Sequence, residues 1–205
     1  MEETINAVID REWEFMRAVR NFGGRAACQD DFTTFSRMRK SQFMAWPAPA
    51  LAGYLEDLKE AGEAGRNLLA EKYARMMAFT HPEEYLEARD FLPALSAETL
   101  ALVREIAQIH LEWQREYARA YPALAARSRS VENAWDAEDN TSFETYLQGE
   151  LATYSPRTLR LYAGHVKSLR ARNQNMTLQI MEHTVRMYGY SSLEKAEAAL
   201  RSAET

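Results

Sequence analysis

Arg39, Gln42 and Glu150 are polar residues at positions where a helix would bury them. On a helical wheel at ~100° per residue, Phe32, Phe35, Met38, Phe43 and Trp46 share one side. Arg39 and Gln42 fall inside that arc, whereas Arg37, Lys40 and Ser41 lie opposite. Glu150 falls in the middle of a second apolar stripe, Phe143, Tyr146, Leu147, Leu151 and Tyr154. A buried charge without a partner is costly, so each group must be paired or kept wet. Two arrangements meet that demand. In one, Arg39 and Glu150 form a buried ion pair that sets the register of two helices. In the other they line a polar pocket, with Arg39 gripping the carboxylate or phosphate of a small ligand. Gln42 and Tyr146 stand beside it, and Glu150 is placed as a general base. Lys72 lies near another apolar face, where its stem snorkels or its ammonium loses basicity.

A second group gathers between positions 21 and 46. Gly23 and Gly24, with Arg25, offer backbone N–H groups and a cation to an anion, although a glycine pair after a helix also serves simply as a stop. Cys28 is either a nucleophile or a small buried residue, and no histidine lies near it in sequence. Gln29, Asp30 and Asp31 complete the loop, and either aspartate suits the cap of the helix that follows. The four histidines stand apart, with His110 on an apolar stripe as a satisfied core residue. Neither HExxH nor Glu-x-x-His occurs, so no metal is expected. No Walker loop, dinucleotide fingerprint or nucleophile elbow is present, and no cofactor is expected either.

Composition narrows the partners. Of 205 residues, 25 are Lys or Arg and 30 are Asp or Glu, a formal charge of -5 that argues against nucleic acid as the main partner. One cysteine excludes an intrachain disulfide. No run of about 18 apolar residues is available to span a membrane. The start, MEETINAVIDREWEF, lacks the basic and apolar regions of a secretory signal, so a cytoplasmic location is expected.

The elements that must position these groups all read as helices. Ile5, Val8, Ile9, Glu12, Met16 and Val19 follow helical spacing from a start near Thr4 to a stop at Gly23-Gly24. The next helix ends near Trp46, before Pro47-Ala48-Pro49. Further helices are expected over 49–61 and 66–79, then a short one to 91 opened by a capping box, Thr80-His-Pro-Glu83. Ser96 caps the longest, over 97–121. Positions 122–140 read as an irregular polar loop. Thr141-Ser-Phe-Glu144 is a second capping box, with a helix to 154, followed by helices from Ser155-Pro156 to 171, over 176–188, and after Ser191-Ser-Leu-Glu194. No sustained period-two alternation marks a strand. The expected class is all-α, a multi-helix bundle in a single domain over 1–205.

The two halves, 1–95 and 96–205, share a pattern. A shift of 108 places Phe35 on Phe143, Leu51 on Leu159, Tyr54 on Tyr162, Lys59 on Lys167 and Asn67 on Asn175. The dipeptide Glu12-Trp13 recurs as Glu112-Trp113 on the preceding helix. The alternatives are a duplicated, pseudo-twofold unit and coincidence between amphipathic helices.

The stretches GGRAACQDDFTTFSRMRKSQFMAW, EKYARMM, TSFETYLQGEL, TYSPRTLRLY and YGYSSLEKAE resemble a bacterial family of domains of unknown function, number 4125. The resemblance covers nearly the whole chain. It implies a soluble helical domain and no assigned catalytic residue. Polar residues within those motifs are Arg25, Cys28, Gln29, Asp30, Asp31, Arg39, Gln42, Lys72, Arg75, Glu144 and Glu150. Two functions remain open. One is a small-molecule enzyme or binding protein with a polar cleft between helices, Glu150 and Cys28 being the catalytic candidates and the others, with Tyr146, the ligand contacts. The other is a helical interaction module, or homodimer, that presents an apolar patch.

Overall fold

The computed structural model describes residues 1–20 and 24–203. Its helices are α1 Glu2–Ala18, α2 Phe32–Met44, α3 Ala48–Glu63, α4 Leu68–Thr80, α5 Pro82–Ala88, α6 Ala97–Ala120, α7 Pro122–Ala125, α8 Phe143–Leu151, α9 Pro156–Ala171, α10 Met176–Met187 and α11 Leu193–Ala203. Among the described residues there is no strand, only one isolated bridge between Ala137 and Asn140. The protein is an all-α multi-helix bundle. Among the described residues no helix is long and apolar enough to cross a membrane.

Local chemistry sets the helix starts. Asp31, Asn67, Ser96, Ser142, Ser155 and Asn175 each accept the N–H three residues on. Each such cap stabilises its helix by about 1 kcal/mol. Four expectations need correction. The first helix ends at Ala18, ahead of the glycine pair, of which Gly23 lies outside the described residues. Its end is held instead by the Gln29 amide, which donates to the carbonyls of Met16 and Val19 at 2.9 Å each. Thr80 opens no capping box: it is the last residue of α4, and α5 starts at Pro82 without a side-chain cap. In the second expected box the cap is Ser142, and Glu144 reaches back to the Asn133 N–H. The span 122–140 is not one loop, because Pro122 starts α7 and a 3-10 turn follows at Asn133–Trp135.

The core is built on α3 against α9, which touch through Gly53. A Cβ on Gly53 would lie 2.8 Å from the Thr158 hydroxyl oxygen. Leu51, Tyr54 and Leu58 on α3 and Leu159, Tyr162 and Val166 on α9 are buried there. Trp46, Tyr54, Tyr154 and Tyr162 stack around them, the Trp46 and Tyr162 rings 4.5 Å apart. α1 covers α3 and α6 covers α9, while α4 packs on α8 and α10 on α2. Helices α3 and α9 have bounds that coincide after a shift of 108, and Asn67 and Asn175 cap α4 and α10. Each of these asparagines also donates its amide to a carbonyl of the long helix before it, Phe15 and Trp113 respectively. The two Glu-Trp dipeptides do not occupy matching places. Glu12 is buried, whereas Glu112 lies at the surface paired with Arg170.

Candidate functional site

The inward charges meet at one point. Arg39, from α2, donates through Nε and Nη2 to both carboxylate oxygens of Glu12 on α1, the Nε contact being 2.6 Å. Its Nη1 donates to the Gln42 side-chain oxygen Oε1 at 2.7 Å and to Glu150 on α8 at 3.1 Å. Glu150 also accepts from Lys72 on α4 at 2.6 Å, from Gln42 at 3.0 Å and from the Tyr154 hydroxyl at 2.9 Å. The Tyr54 hydroxyl completes Glu12 at 2.7 Å. Two cations and two carboxylates therefore cancel, and nearly every hydrogen-bonding position is filled.

Burial alone would strip these charges. It pushes the Glu150 carboxyl up, but Arg39 and Lys72 more than reverse that and hold it below the usual carboxylate range. Burial lowers Lys72 and Arg39, yet the carboxylates beside them keep both more basic than normal. Tyr54 and Tyr154 are pushed well up, by burial first and then by Glu12 and Glu150, so both keep their protons and donate. The Lys72 ammonium also lies 3.3 Å from the centre of the Tyr146 ring. The pocket around the cluster has a volume of only about 20 Å³, room for roughly one water.

On the other side of Arg39, Gln42 and Glu150 lies a cleft of about 530 Å³. That is within the ~300–1,000 Å³ common for small-molecule sites. Helices α2, α6, α8 and α10 wall it, and positions 127–129 after α7 stand on its exposed side. Its interior is neutral. His110 shares a hydrogen bond of 3.0 Å with the Tyr162 hydroxyl, and burial lowers its pKa to about 4. Gln114, one turn further along α6, is 7% exposed, and Thr177 on α10 is 6% exposed. Among the described residues, neither side chain has a hydrogen-bond partner. Their polar atoms are not sealed from solvent: they open onto the cleft, where water or a ligand can bond to them.

The expected site residues divide into groups. Arg39, Lys72, Tyr146 and Glu150 line the closed pocket, and Arg39, Gln42, Tyr146 and Glu150 line the open cleft. Arg25, Gln29, Asp30 and Asp31 lie on neither, and they hold their own loop together. Arg25 grips Asp30 with both sides of its guanidinium and donates to the Gln29 and Arg17 carbonyls. Asp31 caps α2, and Cys28 is exposed. Arg75 donates to the Pro93 carbonyl, and Glu144 ties the Asn133 turn to α8. The residues that sequence alone did not single out are Glu12, Tyr54 and Tyr154 in the network and Gln114, Thr177, Arg127 and Arg129 at the cleft. Glu12 carried the same signal as Arg39, a charge inside an apolar stripe. Gln114 carried a weaker one, four residues beyond His110 on the same face of its helix.

An all-α bundle that fills one small pocket with its own ion pairs and leaves a second, larger cleft unfilled defines the class of molecule. The model of the family described as "Protein of unknown function (DUF4125)" matches residues 2–198, and the chain belongs to that family. No curated protein and no solved structure matches it.

Proposed function

We propose that the protein binds a small anionic or zwitterionic molecule in the cleft between α2, α6, α8 and α10. The observation that carries this is a cavity of about 530 Å³ onto which Gln114 and Thr177 present polar groups that, among the described residues, no protein group bonds to. A ligand that bonds to both takes the place of cleft water there. Arg127 and Arg129 supply positive charge at the exposed side. Arg39 and Glu150 serve as a rigid wall, since each is spent on the other and on Glu12 and Lys72. Glu150 accepts from four side chains, so it holds the network together and is poorly placed as a general base. The test is a ligand-observed NMR screen of a fragment library against the wild type and Gln114→Phe, which removes the amide and narrows the cleft at that wall. Hits lost in the variant support the proposal; a hit list indifferent to it defeats the proposal.

The chain reads best as a duplicated unit whose halves exchange partners. Supporting this are the matched bounds of α3 and α9, the matched asparagine caps, and the crossed packing of α4 on α8 and α10 on α2. The closed pocket and the open cleft then occupy matching places. Lys72 stands opposite Ile180, Arg39 opposite Leu147, and the Tyr54–Glu12 bond opposite the Tyr162–His110 bond. A second function, a protein-interaction module, is favoured by Phe79, Leu86 and Phe91, which are exposed around α5, Phe91 at 88%. Pull-down with and without Phe91→Ser and Leu86→Ser separates it from ligand binding.

A further inference from the structure

We infer that the cleft is oriented: it takes a planar ring with adjacent hydrogen-bond donor and acceptor at Gln114, and leaves an anionic group on that ligand at Arg127 and Arg129. This rests on the cleft being a ligand site, and adds which chemistry goes to which end. The buried end has no cation to spend. Arg39 and Lys72 are committed to Glu12 and Glu150, and His110 is held neutral by its burial. An anion driven there would be desolvated without compensation. Matching positions in the two halves make the contrast concrete, because Lys72 and Arg39 give way to Ile180 and Leu147 where the cleft opens.

What the buried end does offer is the Gln114 amide, an acceptor and two donors in one plane. A primary amide pairs best with a ring edge bearing donor and acceptor side by side, as glutamine pairs with adenine. The hydroxyl of Thr177 adds a single further contact. Aromatic rings line the cleft, and Phe143 is one whose face no cation or ring covers among the described residues, whereas Tyr146 carries Lys72 and Arg129, and Tyr162 packs on Trp46 and His110. At the other end Arg129 is held in place, its guanidinium 4.7 Å from the Tyr146 ring centre and donating to the Thr141 carbonyl at 3.0 Å. Arg127 is exposed and, among the described residues, forms no ion pair. An anion there stays partly hydrated and is held by two guanidinium groups.

Four probes test this by NMR titration of the full chain: adenosine monophosphate, adenosine, phenyl phosphate and indole. Adenosine monophosphate should bind most tightly and shift the Gln114 side-chain and His110 resonances. Gln114→Met should weaken it at least tenfold and leave phenyl phosphate unchanged. Arg127→Ala with Arg129→Ala should weaken it about tenfold, remove most of its salt dependence, and leave adenosine unchanged. These arginines are exposed, so that variant reports binding even if the Gln114 variant folds poorly. Orientation is overturned if indole or phenyl phosphate shifts those resonances while adenosine monophosphate does not. It is equally overturned if adenosine monophosphate binds both variants like the wild type. If none of the four probes shifts them, both the cleft as a ligand site and its orientation fail.

Discussion

Replacing Glu150 by Gln removes one carboxylate from a balanced set and leaves the rest in place. Arg39 keeps both oxygens of Glu12, so its charge stays paired. Lys72 does not: among the described residues its one carboxylate partner is Glu150, at 2.6 Å, and it is buried. At an effective dielectric of about 20, that pair is worth roughly 6 kcal/mol of attraction, partly offset by what desolvating the carboxylate costs. Breaking such a pair on one side costs about 3–5 kcal/mol, a large share of the ~5–15 kcal/mol that holds a domain folded. Urea unfolding followed by circular dichroism should therefore show Glu150→Gln losing about 3–5 kcal/mol. Adding Lys72→Met removes the stranded cation, so the double variant should be more stable than Glu150→Gln alone. A loss below about 1 kcal/mol for Glu150→Gln, or no recovery in the double variant, would refute the claim that these charges are committed to one another.

Three other outcomes follow from the same coordinates. The His110 pKa falls from 6.5 to about 4 on folding, so the unfolded chain binds the extra proton between those values. Stability should then drop by about 3 kcal/mol as pH falls from 6.5 to 4, and His110→Gln should flatten that slope. Below about 4.5 the depressed Glu150 carboxyl adds its own loss, because the unfolded state takes up that proton first. Gln29→Ala frees the carbonyls of Met16 and Val19 and should cost about 1–3 kcal/mol in the same urea assay. Gly149→Val should cost a similar ~1–3 kcal/mol by overpacking α8 on α4, since even a Cβ would lie 2.9 Å from Met76 Cγ and 3.1 Å from the Lys72 carbonyl oxygen.

Much of this was legible in the chain because it is local. Apolar spacing marks helices, and Ser96, Ser155 and Asp31 announce where some begin. The same spacing shows that Arg39, Gln42 and Glu150 turn inward. It does not show whom they meet, because a wheel gives a face and not a partner. Glu12 is 27 residues from Arg39, and Lys72 is 78 from Glu150, so those pairs exist only once α1, α4 and α8 are packed. The cleft was harder still. Its lining comes from α2, α6, α8, α9 and α10 and from positions 127–129, which meet only in the folded chain. Unfilled volume has no signature in a run of letters. The loop residues Arg25, Gln29 and Asp30 drew notice because a glycine pair beside Arg25 offers N–H groups and a cation to an anion, yet their hydrogen bonds run to one another and to the end of α1.

The claim that the cleft is a binding site is met most directly by a crystal structure of the wild-type protein soaked with a fragment library. Density should appear between α6 and α10 for fragments bearing an amide-like edge, hydrogen-bonded to the Gln114 side chain and in reach of Thr177. Fragments scattered over the outer surface, with ordered water alone satisfying Gln114 and Thr177 in every dataset, would contradict it.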